Sequence, residues 1–254
     1  MNSALNSLEG KVALVTGSTR GLGRTIAHAL AHAGANVALN YHSDTEGAEE
    51  SFQAFRATGA RGALFCADIT DKASIDRLLS DINAELGPVD ILVVNATPDQ
   101  AQRSIEDYTW SEVQRLLDAF AKSPFLLTQG VVGHMKAQAW GRIINIGSEV
   151  LDHGTPHFSA YVAAKGAQNG LNRSLAKELA PWKITVNMVS PGWIPVERHK
   201  GVQEEEKESY LSSVPMQRFG TPEDIGSAVT FLASEEARFI SGANLHVNGA
   251  RSVQ

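Results

Sequence analysis

Short runs of β-branched and aliphatic residues alternate with longer stretches of helical period, from Lys11 almost to the end of the chain. The pattern predicts strands over Lys11–Thr16, Asn36–Asn40, Arg61–Ala67, Val89–Asn95, Gly141–Gly147, Ile184–Ser190 and Ala243–Val247. Helices are expected between them, over Gly21–Ala33, Asp44–Thr58, Asp71–Leu86, Trp110–Gln138, Phe158–Ala180 and Thr221–Ser234. The punctuation agrees: Gly34, Gly59 and Gly87-Pro88 follow helices, Asp71 and Thr221 stand at cap positions, and Pro222 opens the last helix. Val12-Ala13-Leu14-Val15 and Ile91-Leu92-Val93-Val94 are apolar throughout, as expected of strands buried on both faces of a parallel sheet. Strand–helix alternation with right-handed crossovers predicts an α/β fold, a doubly wound parallel sheet of seven strands with helices on both faces. No linker interrupts residues 1–254, so a single domain is expected. The polar segment Val196–Val214 carries Glu204-Glu205-Glu206-Lys207-Glu208, which reads as a solvated helix; residues 195–215 as a whole read as a substrate lid.

Composition narrows the partners. The 254 residues are 43% hydrophobic and 20% charged, ordinary for a globular chain, and long enough for a large core without staples. A net charge of −6 with no basic stripe argues against nucleic acid. No apolar run approaches a membrane span, and Met1–Gly10 lacks the pattern of a signal peptide. One cysteine, Cys66, excludes an internal disulfide and suits a cytoplasmic location. Eight histidines show no paired metal-ligand spacing, so no metal is expected.

The first strand runs into Thr16-Gly17-Ser18-Thr19-Arg20-Gly21-Leu22-Gly23, with a helix after it. Glycines let the backbone turn sharply and approach a pyrophosphate, and the helix N-terminus offers free N–H groups to it. In that strand–helix context the loop predicts a dinucleotide-binding Rossmann fold. An NAD site usually ends its second strand on a carboxylate; here the chain reads Asn40-Tyr41-His42-Ser43, and Asp44 is placed to cap the next helix. Arg20 can hold a 2′-phosphate through two parallel hydrogen bonds, or be an exposed loop charge. NADP(H) is therefore favoured, with NAD(H) possible.

Tyr161 and Lys165 stand four apart near the start of a predicted helix, on one face. Ser148 follows the fifth strand, at the end of the sheet where ligands bind. Reduction of a carbonyl puts negative charge on oxygen, so a proton donor and an oxyanion partner are needed. A phenol ordinarily ionises near 10, and a nearby ammonium lowers that by favouring phenolate. Tyr161 is thus the expected acid/base, with Lys165 tuning it and holding the ribose, and Ser148 binding the substrate oxygen.

The chain resembles the classical short-chain dehydrogenase/reductase family, with a pattern closest to its 3-oxoacyl reductase-like members. The resemblance runs from Gly10 to Gly249 and rests on Thr16–Gly23, Asp68-Ile69, Asn95-Ala96, Ser148, Tyr161, Lys165, Pro191-Gly192 and Arg218–Ile225. It implies cofactor contacts from Gly17, Ser18, Thr19, Arg20, Gly21, Leu22, Gly23, Tyr41, His42, Ser43, Asp68, Ile69, Asn95, Ala96, Thr97, Tyr161, Lys165, Pro191, Gly192 and Ile194. It also implies a homotetramer, or dimer, packed through the two longest helices and the last strand. Several positions depart from the family pattern. Thr97, before Pro98, replaces a glycine, Val196 replaces a threonine, and the terminal Gly-Gly is Gly249-Ala250. Phe120 aligns with a catalytic asparagine that holds a water beside the lysine, so the proton relay must run differently or be slow. Pro124 is expected to kink that helix, and Asp118 and Ser123 are polar candidates nearby.

Glu149, His153, His157, Phe158, Trp193 and Ile194 are candidates for the substrate pocket, the two histidines equally readable as exposed loop residues. The acidic lid favours a small free ketone or alcohol over a thioester on an acidic carrier. Two functions remain open: a hydride-transferring reductase, and a nucleotide-binding regulatory or structural oligomer with weak or lost catalysis.

Overall fold

The structure, a computed structural model, describes residues 5–199 and 201–253. Lys200, inside the expected lid, lies outside the described residues, as do Met1–Ala4 and Gln254. Seven strands form one sheet: β1 Val12–Val15, β2 Asn36–Tyr41, β3 Gly62–Cys66, β4 Ile91–Val94, β5 Gly141–Ile146, β6 Ile184–Pro191 and β7 Asn244–Val247. They lie in the order β3-β2-β1-β4-β5-β6-β7, every pair parallel. The order reverses between β1 and β4, and the crevice beyond their carboxyl ends is where such sheets bind ligands.

Helices α1 (Gly21–His32) and α2 (Thr45–Ala57) follow β1 and β2, and α3 (Lys72–Glu85) follows β3. Next come α4 (Trp110–Leu117) and α5 (Ser123–Ala137), before β5. After it come the short α6 (Val150–His153) and the long α7 (Ser159–Leu179); α8 (Glu204–Ser212) and α9 (Pro222–Ala233) precede β7. Two cores sandwich the sheet. One joins Ile26 and Leu30 of α1, Phe55 of α2 and Val229 of α9 to Ala13, Val15 and Val93. The other joins Ile75 and Ile82 of α3, Leu127 and Val131 of α5 and Leu179 of α7 to Leu14, Leu92 and Ile143. Both faces of β1 and β4 are therefore buried, as their apolar runs require.

The helix expected over Trp110–Gln138 is not uniform. Asp118–Lys122 forms a π turn between α4 and α5, and the Ser123 N–H donates to the Asp118 carbonyl five residues back. Pro124 supplies the cause. Its ring would strike the carbonyl of Phe120 in a regular helix, and a widened turn separates the two. The expected kink is thus a π turn, and it carries Phe120 inward, where it is 2% exposed. The acidic run forms α8, as read from the sequence.

Candidate active site

The glycine loop is stitched into place from both neighbouring strands. The Asn40 side chain accepts from Gly17 N–H (3.3 Å) and donates to the carbonyls of Tyr41 (3.1 Å) and Ala67 (3.2 Å). The Ser18 hydroxyl donates to the Val15 carbonyl (2.7 Å) and accepts from Asn40 N–H (2.9 Å). From the other side, Asn95 donates to the carbonyls of Thr16 (2.9 Å) and Gly17 (3.1 Å), and the Thr16 hydroxyl accepts from Asn95 N–H (2.9 Å). Asn95 thus builds the loop with its side chain rather than holding that amide out to a ligand. Two glycines are sterically required. A Cβ on Gly17 would stand 2.9 Å from Ala96 Cα, and one on Gly23 would stand 2.2 Å from the Gly17 carbonyl oxygen.

These residues suit a dinucleotide phosphate, and the structure itself seats an anion there. Glu197, in the lid segment, lies beside Gly21 at the start of α1 and pairs with Arg24 at 2.5 Å. Burial pushes its carboxyl up, but its own backbone N–H, the Arg24 guanidinium and the Gly21 N–H outweigh that and hold it below the usual range. The carboxylate stands in for a phosphate oxygen at a helix N-terminus. A Glu197→Gln variant is therefore expected to bind a dinucleotide about two- to fivefold more tightly, since a competing charge is removed. Fluorescence titration with NADPH checks this; unchanged or weaker affinity contradicts it.

The adenosine side is more open. Asp68 accepts from the Thr70 N–H (2.8 Å) and hydroxyl (2.7 Å), with His42 Nε2 3.9 Å from its other oxygen. Burial pushes its carboxyl up, but the Thr70 bonds and the charges of His42 and Lys122 outweigh that and hold it low. Arg20, His42 and Ser43 are exposed, and Thr19 and Tyr41 half-buried, around this end of the loop. Asp44 caps α2 by accepting from Gly47 N–H (3.1 Å), as expected. Leu22, Ile69 and Ile194 pack into the cores. Thr97 is exposed and its hydroxyl accepts from Gln100 (2.9 Å) in its own loop.

At the other side of the crevice, Ser148 follows β5 and its hydroxyl accepts from Val150 N–H (3.4 Å). Tyr161 and Lys165 lie on the buried face of α7, 6% and 3% exposed. Lys165 Nζ donates to the Ile146 carbonyl (2.7 Å) and to Gln168 Oε1 (2.9 Å), and lies 5.8 Å from the Tyr161 ring centroid. The Phe120 ring covers the ammonium at 3.8 Å and meets the Tyr161 ring edge-on at 5.4 Å. Its neighbours are Leu116, Ala119, Ala160 and Ala164, so the position is an apolar wall. Asp118 accepts from Gln114 (3.0 Å) on the exposed side, and the Ser123 hydroxyl is buried without a hydrogen-bond partner.

A third cluster joins two of the pocket candidates, Glu149 and Trp193, to Tyr210 and Arg251, which the sequence did not single out. Buried Glu149 accepts from Arg251 Nη1 (2.7 Å) and from the hydroxyl of Tyr210 (3.0 Å), on α8. That hydroxyl accepts in turn from Trp193 N–H (2.6 Å), just after Pro191-Gly192, where a Cβ on Gly192 would stand 2.6 Å from it. Tyr210 and Phe219 stack and Trp193 meets both edge-on, so the lid is docked on the loop that carries Ser148. His153 and His157 are exposed; His157 lies in the loop before α7, whereas His153 ends α6 and its Nε2 reaches within 3.9 Å of Glu149. Ala250 holds φ +67 where the family pattern has glycine, a left-handed conformation costly to a Cβ.

Burial, and then the Glu149 carboxylate, push the Tyr210 phenol up to about 12 against the pull of Trp193 N–H and Arg251. A raised acid favours its neutral form in the folded state. Its contribution is complete below the ordinary value near 10 and is lost as pH rises through about 12. Alkaline unfolding between those limits is expected to be blunted in Tyr210→Phe, followed by circular dichroism. Equal loss in both proteins counts against the contact.

A switch-point crevice, a glycine loop at a helix N-terminus and a tyrosine–lysine pair define a nucleotide-dependent α/β oxidoreductase. Residues 17–250 match the family described as enoyl-(acyl carrier protein) reductase. The chain is 41% identical to the 3-oxoacyl-(acyl-carrier-protein) reductase FabG of Haemophilus influenzae, covering 95% of this chain and 98% of that one. It is also 41% identical to its Escherichia coli counterpart, covering 96% and 98%. A solved structure assigned as a gluconate dehydrogenase from Agrobacterium tumefaciens superposes with a TM-score of 0.94 at 29% identity, covering 99% and 100% of the two chains. A structure assigned as a short-chain alcohol dehydrogenase from Sinorhizobium meliloti gives 0.91 at 32% identity, covering 98% of each. The chain belongs to the short-chain dehydrogenase/reductase family of oxidoreductases. Among the described residues, no helix is long and apolar enough to cross a membrane.

Proposed function

We propose that this chain is an NADP(H)-dependent reductase of a small, free ketone, running in reverse on the matching secondary alcohol. The carrying observation is the Lys165 ammonium beside the Tyr161 ring on one face of α7, below the end of β5 where Ser148 stands. The nicotinamide would supply the hydride. Gly17, Ser18, Thr19, Arg20, Gly21, Leu22 and Gly23 would hold its phosphates, with Asp68 and Ile69 towards the adenine. Tyr41, His42 and Ser43 would lie towards the adenosine ribose. Asn95, Ala96, Thr97, Pro191, Gly192 and Ile194 would flank the rest. Tyr161 would donate its proton to the carbonyl oxygen as charge develops there. Ser148 would donate a hydrogen bond to the same oxygen, and Lys165 would hold positive charge beside the phenol and bond the ribose.

The exposed Arg20 and the absence of a carboxylate at the end of β2 support NADP(H) over NAD(H). Glu204, Glu205, Glu206 and Glu208, exposed on α8, support a free ketone, since they would repel an acidic carrier. Residues 1–254 would act as one domain with 195–215 as its lid, in the cytoplasm. Exposed Trp110 and Phe125 on α4 and α5 support a homotetramer or dimer through that face.

Thermal stabilisation by NADPH against NADH, then loss of the nicotinamide absorbance with a panel of ketones, tests this reading. Preference for NADH overturns the cofactor assignment. Binding without turnover of any ketone would favour a regulatory or structural oligomer, a reading that the apolar Phe120 wall supports.

A further inference from the structure

We propose that Gln168 is a positioning residue for the catalytic pair: it anchors the Lys165 ammonium and so sets the charge that Tyr161 experiences. The proposal rests on the roles given above to Tyr161 and Lys165. Lys165 is almost wholly buried, and a buried ammonium must be matched by acceptors. On one side it meets the Phe120 ring, a weak partner that fixes distance more than direction. On the other it donates to the Ile146 carbonyl and, at 2.9 Å, to Gln168 Oε1. An ammonium has only donors, so the amide of Gln168 must turn its oxygen to it. Its Nε2 then points elsewhere and is buried with no protein acceptor. Gln168 is 1% exposed, on the same face of α7 as Asn172, whose oxygen accepts from Asn145 Nδ2 (3.4 Å). Asn145 precedes Ile146 on β5, and its own oxygen is also buried without a partner. Buried amides at Gln168, Asn172 and Asn145 therefore lie along α7 and β5 around the lysine. Moving one place along α7 would turn such a side chain off the face; position 168 is three after 165 and shares it.

Charges on the surrounding elements are engaged elsewhere. Asp118 of the π turn binds Gln114, and Lys122 lies towards Asp68. Glu112 and Arg115 of α4 bond Arg103 and the Asp99 carbonyl. Glu149 binds Tyr210 and Arg251, and His153 is near Glu149. Further along α7, Arg173, Lys177 and Glu178 are exposed. A new charge or a lost acceptor at 168 thus acts first on Lys165.

Two near-isosteric variants test this. Gln168→Met removes the acceptor, and Gln168→Glu keeps it but adds a charge that offsets the ammonium. Phenolate absorbance near 295 nm, taken as the difference between each protein and its Tyr161→Phe counterpart, reports Tyr161 alone and needs no turnover. Both variants are expected to raise the pH of Tyr161 ionisation, by about one unit for Gln168→Glu. The kcat–pH profile should move by the same amount, with NADPH affinity kept in Gln168→Glu and weakened in Gln168→Met. A difference titration that stays in place, or moves down, in folded variants overturns the proposal, whatever the melting temperatures do. Failure of the wild type to reduce any ketone would instead count against the proposed function, leaving the spectroscopic arm to decide the role of Gln168.

Discussion

A Tyr161→Phe variant is expected to lose about a thousandfold in kcat while binding NADPH as the wild type does. The substitution removes one oxygen. The ring keeps its edge contact with Phe120 and its neighbour Phe158, so the wall of the site is preserved. Lys165 keeps its bonds to Ile146 and Gln168. What disappears is the proton donor proposed for the developing alkoxide, and no other side chain is assigned that step. Stopped-flow absorbance for turnover, with fluorescence titration for binding, separates the two. Retention of more than about a tenth of wild-type kcat would sink the role of Tyr161; parallel loss of binding would point to damage in the site.

Replacing Asn40 by leucine is expected to cost about 2–4 kcal/mol of stability and to weaken nucleotide binding at least tenfold. Asn40 is 2% exposed, and its side chain serves Gly17 N–H and the carbonyls of Tyr41 and Ala67. Leucine matches its volume but leaves the Gly17 N–H and the Ala67 carbonyl without that partner, at a desolvation cost, while the Tyr41 carbonyl keeps its bond from Ala67 N–H. The glycine loop would also lose its tie to β2. Chemical denaturation measures the first effect and nucleotide titration the second. A loss below about 1 kcal/mol would show that the loop holds itself.

Much of the site was legible because its chemistry is local in the chain. The glycine loop is one continuous segment between a strand and a helix, and Tyr161 and Lys165 are one helical turn apart. Asn40 carried a weak signal, a polar residue ending a buried strand, but nothing in the sequence said which backbone groups it would serve. Glu149 was readable only as a pocket candidate, and its partners Tyr210 and Arg251 carried no signal: they lie 61 and 102 positions further along the chain, and only the packing of the lid and the C-terminal tail brings the three together. Gln168 was readable as sharing a face with Lys165, yet its contact depends on which way that face turns.

Periodicity and punctuation by themselves determined the seven strands and their alternation with helices, because backbone geometry ties each to short-range pattern, and the motifs along the chain carried the resemblance to the family; the strand order and its switch point came from the structure. Tertiary structure alone decided three further things. Pro124 widens the helix and drives Phe120 over the ammonium. The lid lays a carboxylate on the start of α1. Buried amides become the polar surroundings of the lysine. The reason is physical: a strand or helix is selected by neighbours in sequence, whereas a buried charge is satisfied by whatever atoms packing places beside it.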